Sequence, residues 1–125
     1  VQAKPLIVAV VDDDPSLLKG IQRLLSAQGI ASEVFASAEA FLSSSAASRV
    51  ACLVLDIQLG AMNGFELQRQ LADSGSKIPI IFMTAFDNEA THLLAVEAGC
   101  TAYLHKPFSA RLFFDAIERA VANSG

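Results

Sequence analysis

Leu6-Ile7-Val8-Ala9-Val10-Val11-Asp12-Asp13-Asp14-Pro15 decides the fold. Six apolar residues run without a break into three consecutive carboxylates and a proline. An apolar run of this length, bounded by acids, reads as a strand buried on both faces. Asp14-Pro15 then opens a helix, with Asp as N-cap and Pro at the first helical position. The apolar positions Leu17, Ile21, Leu24 and Leu25 follow the i, i+4, i+7, i+8 pattern of one helical face, and Gly29 stops the helix. A buried strand that passes straight into a helix is the opening half of a βαβ unit.

The same alternation repeats to the C-terminus. Ser32–Phe35 reads as a second strand, and Ser37 caps a helix that carries Phe41 and Leu42. Val50–Leu55 is a third apolar run, again ending at an acid, Asp56. Phe65 to about Ser74 is helical and closed by Gly75; Ile78–Met83 is a fourth strand ending at Thr84. Asn88 to Ala98 is a helix closed by Gly99, and Thr101–His105 a fifth strand. Ser109 caps the last helix, where Phe113, Ala116, Ile117, Ala120 and Val121 share a face. Strict alternation with short connections predicts a single doubly wound, five-stranded parallel α/β sheet with helices on both faces, a flavodoxin-like (βα)5 arrangement. The expected domain occupies residues 1–125 with its core at about 5–122, and residues 1–4 and 122–125 are expected to be loosely held.

Composition narrows the function classes. A net charge of −4 with no Lys/Arg run argues against direct contact with nucleic acid, which needs clustered cations. No apolar run approaches the roughly 20 residues of a membrane-spanning helix, and no charged-then-apolar leader opens the chain. The first residue is Val1 rather than Met, which suggests processing or trimming. Cys52 and Cys100 are isolated, as suits a reducing compartment, so the cytoplasm is the expected location.

Ligands of open α/β sheets bind outside the carboxyl ends of the strands. The polar residues ending four of the five strands are Asp12-Asp13, Asp56, Thr84 and Lys106. Three carboxylates, a hydroxyl and an ammonium on one edge suit a hard cation, Mg²⁺, together with an anionic oxygen group. Each residue also has a plain structural reading. Asp14 is better placed to cap a helix than to bind a ligand. Asp12 and Asp13 alone are ordinary loop acids, Thr84 a strand end, and Lys106-Pro107 a solvated loop. His92 and His105 read as surface or edge residues, without partners at metal-ligand spacing. Asp56 is harder to dismiss, because an unpaired buried charge is costly. The plain readings hold singly and fail jointly.

At these positions the sequence strongly resembles the receiver domains of bacterial two-component response regulators. The resemblance rests on Val10-Val11-Asp12-Asp13-Asp14-Pro15, Leu53-Val54-Leu55-Asp56 with Gly64 eight residues on, Met83-Thr84-Ala85, and Tyr103-Leu104-His105-Lys106-Pro107-Phe108. It implies that Asp56 is the phosphoacceptor, attacking a phosphohistidine on a partner sensor histidine kinase. It implies Mg²⁺ held by Asp13, Asp56, Asp12 partly through water, and the backbone carbonyl of Gln58. Thr84, Ala85 and Lys106 are the implied phosphate-binding residues, Thr84 and Tyr103 the switch pair, and the bond before Pro107 is implied to be cis.

Leu59-Gly60 departs from the Met-Pro frequent in the family after the acceptor, and Gly60 loosens that loop. Phe86 is a bulky residue expected to shield an acyl phosphate from water. The phrase around Phe41-Leu42 and the last helix resemble regulators that carry a DNA-binding domain beyond the receiver. An FMN carrier would need a Ser/Thr/Gly-rich loop after the first strand, and a haloacid-dehalogenase-type phosphatase an Asp where Gln58 stands. A P-loop or dinucleotide fold would need glycines in place of Asp12-Asp13-Asp14-Pro15. The remaining rival is a pseudo-receiver, an interaction module that is never phosphorylated. The helix from Asn88 to Ala98 is poorly amphipathic and Leu112 falls off the buried face of the last helix, so the helix 4, strand 5, helix 5 surface is the expected site of phosphorylation-dependent homodimerisation.

Overall fold

The computed structural model describes residues 6–122; the expectations for residues 1–4 and 123–125 lie outside them. Five strands, β1 (Ile7–Val11), β2 (Ala31–Phe35), β3 (Cys52–Asp56), β4 (Ile80–Thr84) and β5 (Ala102–His105), alternate with five helices. These are α1 (Pro15–Ala27), α2 (Ala38–Ser43), α3 (Gly64–Asp73), α4 (Glu89–Glu97) and α5 (Ala110–Ala122), with a short 3₁₀ turn at Ala46–Ser48. All pairings are parallel and the strand order is β2-β1-β3-β4-β5. The doubly wound sheet expected from the alternation is therefore present.

The order reverses at β1, which pairs with β2 on one side and β3 on the other. Chain crossovers leave opposite faces there, and a crevice opens at the carboxyl ends of β1 and β3. β1 is apolar throughout, and β3 and β4 are apolar up to their last residues, Asp56 and Thr84, because both sheet faces are covered. Val8, Val10, Cys52, Val54, Ile81, Met83 and Leu104 face α1 and α5, while Ala9, Val11, Leu53, Leu55, Ile80 and Phe82 face the α2, α3 and α4 side. Burial also pushes the Cys52 thiol up to about 12, which leaves it unreactive.

Local chemistry sets the helix ends. Asp14 Oδ1 accepts from the N–H groups of Ser16 and Leu17, as expected of the N-cap before Pro15. Ser37, Asn88 and Ser109 likewise accept from the N–H groups of Ala40, Thr91 and Leu112. Gly29, Gly75 and Gly99 all sit at positive φ just beyond helices, where a side chain would be strained. The buried stripe of α1 is Leu18, Ile21 and Leu25, with Leu17 and Leu24 only at its margins. Ile21 and Leu25 are buried as expected, and Leu18 rather than Leu17 or Leu24 completes the buried stripe. α4 fits its weak pattern: Ala95 is its only buried residue.

Candidate functional site

β1 and β3 deliver the acids. Asp12 follows β1, and its N–H donates to the Phe35 carbonyl at 3.1 Å, prolonging the β1–β2 ladder into the crevice. Its side chain is wholly buried and fully engaged: Oδ1 accepts from the Asp14 N–H at 2.8 Å and Oδ2 from Lys106 Nζ at 2.6 Å. Asp56 ends β3 and is 3% exposed. Its Oδ1 accepts from the Gln58 N–H at 3.2 Å, and its Oδ2 lies 3.3 Å from Lys106 Nζ. Asp13 is exposed at the mouth. Carboxylate oxygens of Asp12, Asp13 and Asp56 all lie within 4.8 Å of one another.

The charges do not balance. Three acids and one ammonium leave an excess of negative charge, with Asp12 and Asp56 buried and Asp13 exposed. Burial, and then the Asp12 charge, push the Asp56 carboxyl up to about 6, against the pull of Lys106 and the Gln58 N–H. Burial lowers the Lys106 pKa, but the hydrogen bond to Asp12 and the charges of Asp56 and Asp12 outweigh it, so the ammonium is held above its usual range. An all-oxygen donor set with surplus negative charge and an open mouth fits a hard divalent cation such as Mg²⁺. Asp13 and Asp56 offer oxygens not already committed to Lys106 at short range, and Asp12 stands behind them.

β4 and β5 supply the rest. Side chains alternate across a strand, so Thr84 and Tyr103 fall on the same face as Phe82, the face that α4 covers. Thr84 is wholly buried; its Oγ1 donates to Gln58 Oε1 at 2.7 Å and accepts from the Phe86 N–H at 2.9 Å. Tyr103 points outward: its hydroxyl donates to Asp87 at 3.0 Å, and its ring stacks on His92 with centroids 4.6 Å apart. Burial and the Asp87 bond push its pKa up to about 12. The Lys106 N–H donates to the Thr84 carbonyl at 2.8 Å, which ties the ammonium's backbone to β4, and the Lys106-Pro107 bond is cis.

The anticipated residues Asp12, Asp13, Asp56, Thr84 and Lys106 therefore converge, with Gln58 beside them. Ala85 is exposed just past β4. Phe86 is 66% exposed, and its backbone N–H donates to the Thr84 hydroxyl. Sequence reasoning assigned Gln58 through its carbonyl and missed its side chain, whose reach to Thr84 depends on the loop path after β3. Gly64 was noted only for spacing. A Cβ there would lie 2.5 Å from the Asp56 carbonyl oxygen and 3.0 Å from Ile57 Cα, so the start of α3 approaches the acceptor strand as only glycine allows. The Asn63–Glu66 capping box fixes that helix end, and Asn-x-x-Glu was there to be read. Gly60, by contrast, meets open space, so packing does not require it.

Residues 8–118 match the response regulator receiver domain family. Response regulator protein TodT of Pseudomonas putida is 33% identical over 115 residues, spanning 92% of this chain and 51% of TodT. Transcriptional regulatory protein FixJ of Rhizobium meliloti is 35% identical over 113 residues, spanning 90% of this chain and 55% of FixJ. The chain thus spans about half the length of the curated relatives it matches. Among solved structures, response regulator StyR superposes with a TM-score of 0.89 at 39% identity, covering 98% of this chain and 61% of StyR. The crystal structure of FixJ-N gives 0.85 at 34% identity, covering 96% of each. Among the described residues no helix is long and apolar enough to cross a membrane. Family, fold and the acidic crevice at the β1/β3 switch point agree: the chain belongs to the response regulator receiver domains, the signalling modules of two-component phosphorelays.

Proposed function

We propose that Asp56 accepts a phosphoryl group from the phosphohistidine of a sensor histidine kinase, in a reaction that requires Mg²⁺. An Asp56 carboxylate oxygen attacks phosphorus, the phosphorus–nitrogen bond breaks, and its electron pair returns to the kinase imidazole. The product is an acyl phosphate. Mg²⁺, when bound, would supply charge neutralisation for the carboxylates and the incoming phosphoryl group. Lys106 is near enough to leave Asp56 Oδ2 for a phosphoryl oxygen, and the Thr84 hydroxyl provides the second donor after it turns. Asp13, Asp56, the Gln58 carbonyl and, partly through water, Asp12 would hold the metal, and Ala85 would offer its N–H to the phosphoryl group.

The carrying observation is a buried carboxylate at the end of a central strand, 3.3 Å from an ammonium and beside two further acids. Mass spectrometry after acetyl phosphate treatment tests the reading. A mass gain of one phosphoryl group is expected with Mg²⁺, absent in Asp56→Asn and in EDTA. No gain under any condition would identify a pseudo-receiver.

The output passes to a DNA-binding domain elsewhere in a longer cytoplasmic protein. FixJ is by name a transcriptional regulatory protein, and TodT and FixJ are each roughly twice the matched length, which supports a further regulatory domain. Leu93, Leu94 and Val96 on α4 and Leu112 on α5 are exposed apolar residues, which supports homodimerisation through the α4–β5–α5 surface once the domain is phosphorylated. Sedimentation with and without beryllofluoride tests it; a dimer that survives Leu112→Asp would use another surface.

A further inference from the structure

Thr84 has already committed its one hydroxyl proton. One lone pair accepts the Phe86 N–H at 2.9 Å, and the single proton goes to Gln58 Oε1 at 2.7 Å. Turning the Gln58 carboxamide to present its nitrogen would take from that buried proton the acceptor it has here, so the present arrangement has Gln58 accepting through Oε1. The same residue touches the acceptor carboxylate, its N–H donating to Asp56 Oδ1 at 3.2 Å. Gln58 therefore bridges the two groups that must meet around a phosphoryl group: Asp56 through its main chain, Thr84 through its side chain.

A hydroxyl has one proton to give. Thr84 cannot donate to a phosphoryl oxygen on Asp56 while it donates to Gln58. We infer that the Gln58 side chain is a positioning residue that holds the Thr84 hydroxyl in the unphosphorylated arrangement, so that the switch consists of exchanging Gln58 Oε1 for a phosphoryl oxygen. The exchange runs forward because an anionic oxygen is the stronger acceptor. The released carboxamide is not stranded, since Gln58 is only half-buried and reaches water. The hydrogen bond thus sets how strongly the resting state is favoured. This rests on Asp56 being the phosphoacceptor.

Beryllofluoride with saturating Mg²⁺ is the probe, with its apparent affinity read by NMR on wild type, Gln58→Met, Thr84→Val and the double variant. Mg²⁺ affinity is measured separately in each, so that any change at the metal is factored out. Met matches Gln in length but accepts hydrogen bonds poorly, and Val matches Thr without the hydroxyl. Gln58→Met should bind roughly fivefold more tightly, the scale of one neutral hydrogen bond. Its Thr84 and Phe86 amide signals, without beryllofluoride, should move toward the positions they take in the bound wild type. In the Thr84→Val background the gain should vanish. Equal or weaker binding by Gln58→Met, or the same gain without the hydroxyl, overturns the inference and leaves the phosphoacceptor reading standing. A wild type that takes up no beryllofluoride overturns both.

Discussion

Asp56→Asn should make the metal-free protein more stable, and the size of the gain follows from the site. Burial and the neighbouring Asp12 charge push the Asp56 carboxyl from its ordinary 3.8 up to about 6, even with Lys106 at 3.3 Å. Each pKa unit corresponds to about 1.4 kcal/mol, so ionising Asp56 costs the fold on the order of 3 kcal/mol. Because the folded value lies above the unfolded one, the stabilisation belonging to the neutral form is fully present below pH 3.8 and lost as pH rises through about 6. Asparagine is nearly isosteric with the protonated acid. The Lys106 attraction that it forgoes already opposes the shift, so it needs no second subtraction.

The expected gain for Asp56→Asn at pH 7.5 in EDTA is therefore about 1–3 kcal/mol. For a domain of this size that is a rise in melting temperature of roughly 3–5 °C per kcal/mol. Urea unfolding midpoints between pH 4.5 and 8 measure it directly. The difference should shrink toward zero at the acid end. Mg²⁺ should narrow it at neutral pH, because a cation that binds the folded wild type stabilises it by mass action. Equal midpoints at pH 7.5 in EDTA, or a gain that grows on acidification, would refute this account of the crevice.

Gly64→Ala forces a Cβ against Asp56 and Ile57 backbone atoms, so it should destabilise by about 1–3 kcal/mol, read by urea unfolding. It should also slow phosphorylation by displacing the acceptor strand, measured by acetyl phosphate uptake. Asp13→Asn should abolish saturable Mg²⁺ binding, while Asp14→Asn should alter only stability, by less than about 1 kcal/mol, since Asp14 is occupied with the α1 cap. Reversed effects in a metal titration would exchange their roles. Lys106→Ala should retain Mg²⁺ binding but uncouple phosphorylation from Tyr103; phosphorylation-induced NMR shifts at Tyr103 that match wild type would contradict this.

What was legible in the sequence is what one-dimensional spacing encodes. Apolar runs that end at Asp12 and Asp56 mark buried parallel strands, and parallel strands bring their ends to one edge. Thr84 and Lys106 follow from the same rule. Features that depend on loop path were not legible. The reach of Gln58 to Thr84 needs the course of residues 57–59, and the hydrogen bond from the Phe86 N–H to Thr84 needs the bend after β4. The His92–Tyr103 stack joins residues from α4 and β5, which no local pattern relates. Gly64 shows both sides: its spacing from Asp56 is visible, but its reason is a 2.5 Å approach visible only in three dimensions.

The resting geometry supports α4 as the element through which the proposed change at Asp56 would be felt. Thr84 and Tyr103 lie on the sheet face that α4 covers, and each is held by a named partner. Tyr103 is restrained twice: Asp87, in the β4–α4 connection, takes its hydroxyl, and His92, on α4, stacks on its ring. Inward rotation of Tyr103 must break both contacts, and both belong to the segment that begins three residues after Thr84. That segment resists little, since α4 buries only Ala95 and exposes Leu93, Leu94 and Val96. In the switch proposed above, Thr84 and Tyr103 would be coupled to α4 through residues 86–92, which hold both of them. Had α4 carried a full apolar stripe like that of α5, with Phe113, Ala116, Ile117 and Ala120 all buried, one hydrogen-bond exchange at Thr84 would be too small to shift it.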